Sequence, residues 1–336
     1  MDAFVDRTQF NGVVLVARGD SVLYAEGRGY EDAEAGVPTQ VRTRYQLGSV
    51  AKWLTSLVVL RLVDQGALSL SAPITTYLPD YREDTGRRLT LHYLLTNTSG
   101  VPNDLIAAYE ADPASLAEPL TTSEAVRRYA SGDLLFDPGS QFDYSLSNWI
   151  LAQAVVERVT GKSLAANVQE LVARPLGLDD TGAFWDGSAD PRLAPGYEEL
   201  EPTPVRAELP APEYLVSAGG MYSTARDLLA LVDAVYGGRL LSDGSLARLD
   251  AVSWRDDDLS TSDRAGGYAY GGRVRAMELG DETQMVLWHG GSNGPSKVRL
   301  IRVLSDGTTV VTLTNADVSH EETGELIERV LDSLYR

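Results

Sequence analysis

Residues 50 to 65, Val-Ala-Lys-Trp-Leu-Thr-Ser-Leu-Val-Val-Leu-Arg-Leu-Val-Asp-Gln, carry apolar side chains on nearly every side of a helical turn. A helix that is apolar all round has no face to give to water, so it is buried and the rest of the chain must wrap it. Gly66 stops this helix from the position after the C-cap, where a left-handed backbone favours glycine. A chain of 336 residues, 43% of them hydrophobic, can supply that wrapping in one domain or in two closely packed ones.

The mouth of the helix reads Ser49-Val50-Ala51-Lys52. Side chains at i and i+3 share a helix face, so the Lys52 amine is placed to reach the Ser49 hydroxyl. The first turn adds unpaired backbone N–H groups and a partial positive charge. A serine hydroxyl is a weak nucleophile until a base takes its proton, and a desolvated lysine can be that base. Lysine occurs only at 52, 162 and 297, which makes a chance Ser–Lys pairing less frequent than usual.

Two further segments extend the pair. Phe142-Asp143-Tyr144-Ser145-Leu146-Ser147-Asn148 follows a Pro138-Gly139 turn and precedes an apolar helix predicted from about Trp149 to Val159, closed by Thr160-Gly161. That puts Tyr144 in a loop at a helix mouth. Trp288-His289-Gly290-Gly291-Ser292 is predicted to end an apolar strand, with glycines that let the backbone approach a neighbour closely.

With these elements in order, the chain resembles the serine β-lactamase and penicillin-binding-protein-like family, nearest its class C and esterase branch. They match the family's Ser-x-x-Lys, Tyr-x-Asn and His-x-Gly (or Lys-Thr-Gly) motifs. The likeness continues in Phe10-Asn11-Gly12-Val13-Val14-Leu15-Val16, in Leu94-Leu95-Thr96-Asn97-Thr98-Ser99-Gly100 and in Ala218-Gly219-Gly220-Met221-Tyr222-Ser223-Thr224. It thus covers nearly the whole chain. The resemblance implies a catalytic Ser49, Lys52 and Tyr144, with Lys52 and Tyr144 sharing the general-base role. It also implies an oxyanion hole from the backbone N–H groups of Ser49 and Ser292, and substrate contacts at His289, Gly290 and Gly291.

Two positions depart from the family pattern. Leu146 stands where Tyr-x-Asn has asparagine, and a leucine has no hydrogen-bonding group to hold a substrate amide. Asn148, two residues on, is a candidate substitute if the loop is remodelled. His289 stands where Lys-Thr-Gly has lysine, giving a weaker, pH-dependent charge for a substrate carboxylate. Both changes favour ester hydrolysis over β-lactam turnover. The expected function is a serine hydrolase or acyltransferase, most of all an esterase. The alternatives are a D-amino-acid peptidase or DD-peptidase, a weak β-lactamase, and an inactive binding protein of the same fold.

A competing motif is Gly290-Gly291-Ser292-Asn293-Gly294, which fits the Gly-x-Ser-x-Gly nucleophile elbow, with Asp317 and His320 downstream. The elbow requires strand, sharp turn and helix. Here Val298, Leu300, Ile301 and Val303 follow in a strand pattern, so Ser49 is preferred. His92 lies in an apolar run and reads as structural.

Composition narrows the class. There is no cysteine, hence no disulfide or thiolate site, and the three histidines form no metal-binding spacing. No metal or other cofactor is expected. A net charge of −19 argues against a nucleic-acid partner. No run reaches membrane-spanning length. Met1-Asp2-Ala3-Phe4 lacks the basic and apolar regions of a signal peptide, so none is expected in this sequence. Periplasmic and cytoplasmic locations are both compatible with these features, and oligomeric state is not encoded in them.

Val13 to Ala17 and Val22 to Ala25 read as a hairpin. Strands are expected at Tyr268 to Glu278, Thr283 to Trp288, Lys297 to Leu304 and Thr309 to Thr314, with turns at Gly280-Asp281 and Ser305-Asp306-Gly307. Helical segments are expected at Leu91 to Leu95, Ala125 to Tyr129, Val168 to Ala173 and after Asp227. A proline-rich connector, Trp185 to Pro212, is expected to border the substrate cleft. A terminal amphipathic helix follows, with Ser319 and Glu322 as a capping box. Strands at both ends around a helical middle predict an α+β fold of the β-lactamase/transpeptidase-like type. The expected partition is a sheet lobe from 1–66 and 216–336 and a helical lobe from 67–215, with the site between them.

Overall fold

The computed structural model describes residues 10–186, 190–207, 210–255, 266–316 and 320–336. In chain order, the elements that position the site are β1 (Gly12–Arg18), β2 (Ser21–Arg28), β3 (Tyr45–Gln46), α1 (Val50–Asp64), α2 (Asp104–Ala111), α3 (Leu146–Thr160), β4 (Met221–Ser223) and α4 (Ala225–Tyr236). They are followed by β5 (Trp254–Arg255), β6 (Gly267–Tyr268), β7 (Arg273–Leu279), β8 (Glu282–Asn293), β9 (Ser296–Val303), β10 (Thr308–Thr314) and α5 (His320–Tyr335).

Eight strands form one sheet in the order β5-β6-β7-β8-β9-β10-β1-β2, antiparallel at every pairing. The amino-terminal hairpin closes onto the last strand, with Gly12 opposite Thr314. This is the α+β, β-lactamase/transpeptidase-like architecture expected from the sequence. Strand β1 shows why both faces of the sheet are covered. Its alternate residues Val13, Leu15 and Ala17 enter the core shared with α1 and α4, while Val14 and Val16 enter a second core with Leu326, Ile327, Val330 and Leu331 of α5. Successive strand side chains point to opposite faces, so a strand buried on both reads as a continuous apolar run.

Helix α1 is surrounded, as its composition requires: of its 15 residues, 12 are buried. It packs against β8, α3 and the short helix Leu164–Val168. Gly66 beyond it has φ +73°.

Three boundaries differ from the expected ones. The predicted strand from Tyr268 to Glu278 is interrupted: Ala269 N–H bonds to the Gly272 carbonyl at 2.8 Å, turning the chain between β6 and β7. Gly271 has φ +71°, and a Cβ there would lie 2.6 Å from the Lys52 carbonyl oxygen, so this turn rests on α1. Strand β8 does not stop at Trp288 but continues through the His-Gly-Gly motif to Asn293. Pairing decides this, because Gly290 and Gly291 lie opposite Arg299 and Val298 of β9. Helix α3 starts at Leu146 rather than Trp149, since Asn103 Oδ1 accepts the Leu146 N–H at 3.1 Å and satisfies a first-turn amide.

The proline-rich connector holds a small hairpin, Tyr197–Glu199 with Val205–Arg206. Ser319, Asp317 and the side chains of His320 and Glu322 lie outside the described residues, and the expected capping box with them. Among the described residues no helix is long and apolar enough to cross a membrane.

Candidate active site

Ser49 is the N-cap residue of α1 and Lys52 occupies the first turn. The Lys52 side chain is fully buried, and its Nζ donates to Ser49 Oγ at 3.0 Å and to the Ala218 carbonyl at 2.8 Å. The second bond aims the amine: it ties the lysine to the Ala218-Gly219-Gly220 segment that leads into β4. Tyr144 immediately precedes the N-cap of α3. Its ring centroid lies 5.0 Å from Lys52 Nζ, and its edge meets Tyr268 at 88° and 6.1 Å. Ser49, Tyr144 and Ala218 thus converge on the Lys52 amine.

The backbone of β8 meets the turn before α1. Gly48 has φ +49°, and a Cβ there would sit 2.4 Å from Ser292 N. A Cβ on Gly291 would sit 1.9 Å from the Leu47 carbonyl oxygen and 3.1 Å from Ser49 N. Only glycines allow this close approach of β8 to the turn that leads into Ser49. A Cβ on Gly290 would fall 2.0 Å from Arg299 Nη1, so this glycine makes room for the neighbouring guanidinium.

Two expected substrate contacts are placed differently. His289 is 6% exposed, with Nε2 against the Gly271 carbonyl and Nδ1 3.2 Å from the Gly290 carbonyl. Burial pushes its imidazole down to about 4, outweighing the two carbonyls, which act in the opposite sense. The ring is turned to the β6–β7 turn, and it braces that turn instead of offering a charge to a ligand. Asn148 is locked inside α3: its Oδ1 accepts from Ser99 Oγ at 2.5 Å and its Nδ2 donates to Asn97 Oδ1 at 3.0 Å. Both ends of the amide are engaged away from the cavity, so Asn148 does not replace the family's asparagine.

His92 meets the structural expectation, with Nδ1 2.7 Å from the Tyr270 hydroxyl; burial lowers its pKa. Ser292 lies within β8, and a two-residue turn at Gly294-Pro295 leads straight into β9. The strand–turn–helix that a nucleophile elbow requires is absent there.

Ser49, Lys52 and Ser292 open into a cavity of about 300 Å³. One wall is apolar, built from Leu105, Ile106 and Tyr109 of α2, with Leu146, Phe184 and Leu215. Pro210, Ala211 and Pro212 of the connector also border it, as expected for that segment. The polar side chains of Gln46 and Asn293 also line it. The sequence reading missed these two residues. Their signal is weak, because each is a polar residue at a strand end whose partner lies far along the chain.

Comparison with known proteins identifies the family and fold. The Beta-lactamase family profile matches residues 1–335. Esterase EstB of Burkholderia gladioli is 38% identical over 268 residues, covering 69% of this chain and 67% of the relative. EstCE1, described as a hydrolase with promiscuous acyltransferase activity, superposes with a TM-score of 0.81 at 26% identity, over 100% of this chain and 96% of that one. A penicillin-binding protein from Bacillus halodurans shares the fold, with a TM-score of 0.81 at 22% identity over 98% of each chain. The eight-stranded sheet, the buried helix α1 and the full-length match lead to one conclusion: the chain belongs to the beta-lactamase family.

Proposed function

We propose that the protein is an esterase that works through an acyl-enzyme on Ser49. A serine hydrolase of this family needs an activated hydroxyl, and the 3.0 Å contact between the buried Lys52 amine and Ser49 Oγ carries the reading. In the first step Ser49 Oγ attacks the ester carbonyl while its proton passes to the Lys52–Tyr144 pair. The tetrahedral oxyanion is held by the N–H groups of Ser49 and Ser292, where each such donor contributes about 100-fold or more in rate. The same proton goes to the departing alcohol. Water then attacks the acyl-enzyme by the reverse route and releases the carboxylic acid.

Ester is favoured over β-lactam and peptide because Leu146 lines the cavity where an amide-holding side chain would be needed. His289, buried and held neutral, gives no cation for a substrate carboxylate. An inactive binding protein would have no use for an intact, buried Ser–Lys contact.

Intact-protein mass after incubation with a fluorophosphonate tests this. A single adduct is expected on the wild type and none on Ser49→Ala, with hydrolysis of p-nitrophenyl esters lost in parallel. A folded wild type with neither adduct nor ester turnover would overturn the esterase reading.

A further inference from the structure

Two polar side chains that line the cavity, Gln46 and Asn293, form one clamp. Asn293 Nδ2 donates to the Gly219 carbonyl at 3.0 Å and to Gln46 Oε1 at 3.1 Å. A carbonyl can only accept, so the Gly219 bond fixes which end of the Asn293 amide points that way. Both N–H groups of that end are then spent, and Gln46 must turn its oxygen toward Asn293. The free end of the Gln46 amide is therefore Nε2, with two N–H donors and no acceptor among the described residues. Gln46 is half-buried, lines the cavity, and is the last residue of β3, three positions before Ser49.

The clamp also joins three parts of the site. Asn293 follows Ser292 on β8, Gly219 follows Ala218, whose carbonyl holds Lys52, and Gln46 leads into the nucleophile turn. Gln46 is thus fixed in rotation by the elements that fix the catalytic groups. A donor held this way costs little to align with a substrate acceptor, because its ordering is already complete in the free protein.

We propose that Gln46 is the substrate-selecting residue of this site, donating through Nε2 to a carbonyl or similar acceptor on the acyl part of the ester. This inference rests on the esterase reading above. The substrate class is an ester whose acyl group combines an apolar portion, facing Ile106, Tyr109 and Leu146, with one hydrogen-bond acceptor. The acyl part is chosen because it stays on Ser49 through both chemical steps, whereas the alcohol leaves after the first. Leu146 brings no polar contact to the cavity, and Gln46 supplies one.

The test compares the p-nitrophenyl esters of N-acetylglycine and pentanoic acid, which share chain length and differ in the amide. Each kcat/KM is divided by the ester's own hydroxide hydrolysis rate. Wild type is expected to favour the N-acetylglycyl ester, and Gln46→Glu to cut that preference about tenfold, the worth of one neutral hydrogen bond. Glutamate keeps the oxygen that Asn293 holds and loses the donor. Gln46→Leu should cut it to the same extent, chiefly through the KM of the acetylglycyl ester.

A ratio unchanged within about twofold in both variants would overturn the assignment. Loss of fluorophosphonate labelling in both would make Gln46 a support of the site instead, and also overturn it. If the wild type itself takes no fluorophosphonate, the esterase reading fails and the inference with it.

Discussion

Burial takes His289 out of the range in which imidazoles usually titrate, and this has a consequence for stability. Its ring faces Lys52 and Arg273, both of which disfavour its charged form, and desolvation is the larger cause of the drop to about 4. Between that value and about 6.5 the unfolded chain binds a proton that the folded protein does not. Stability from this residue is therefore complete above pH 6.5 and is lost on acidification toward pH 4, by on the order of 3 kcal/mol at most. Asp250, which burial raises to about 6, contributes in the opposite sense, so the wild-type curve alone mixes the two. The expected outcome is that the thermal midpoint of wild type falls relative to that of His289→Gln as pH is lowered from 7 to 4.5. A difference that stays flat across that range would mean the imidazole is not held neutral by its surroundings. Near neutral pH this histidine stays uncharged, so it does not set the pH–rate profile.

Strand β8 carries more of the site than its motif suggests. Its glycines admit the turn before Ser49, Ser292 is the proposed second oxyanion donor, and Asn293 clamps two other segments. Gly291→Ala would place a methyl carbon 1.9 Å from the Leu47 carbonyl oxygen, and a backbone atom cannot swing aside as a side chain can. Displacing β8 from Ser49 should cost about 100-fold or more in kcat, the worth of one oxyanion donor. Ester kinetics check this, with circular dichroism to verify that the sheet persists.

The contiguous signals of this strand were legible from sequence: Trp288 to Ser292 marked the motif, and the alternation after Pro295 marked β9. What was not legible depends on contacts made across the fold. The Gly-Gly pair looked like a strand end because a sequence cannot reveal that Val298 and Arg299 will pair with it. The interruption at Gly271 comes from α1 pressing on the chain, and Gln46 matters only through a residue on another strand. Asn148 failed as a substitute for the same reason, since Asn97 and Ser99 claim it first.

Among the described residues, two hydrophobic cores lie on either side of the eight-stranded sheet, and the smaller depends on α5. Ile327 of that helix is fully buried in it among Leu326, Val330 and Leu331. Ile327→Ala should lose about 2–5 kcal/mol, read as a lower thermal midpoint or urea midpoint. Because that core lies across the sheet from Ser49, fluorophosphonate labelling at low temperature should survive the substitution. If labelling is lost while the fold persists, the two faces of the sheet are coupled more tightly than their separate cores imply.

The closure of the sheet also bears on how the protein comes into being. Ser49 and Lys52 leave the ribosome early, yet the strands that complete their surroundings are made late. The bond from Asn11 to Asn315 spans 304 positions, and β1 waits for β10 as its neighbour. Long-range closure of this kind folds slowly, since chain entropy must be surrendered before the contacts that offset it exist. A nascent chain therefore carries Ser49, the proposed nucleophile, before Ser292 and Asn293 have been made. On the proposed mechanism, acylation of Ser49 is expected only once the late strands have joined the sheet.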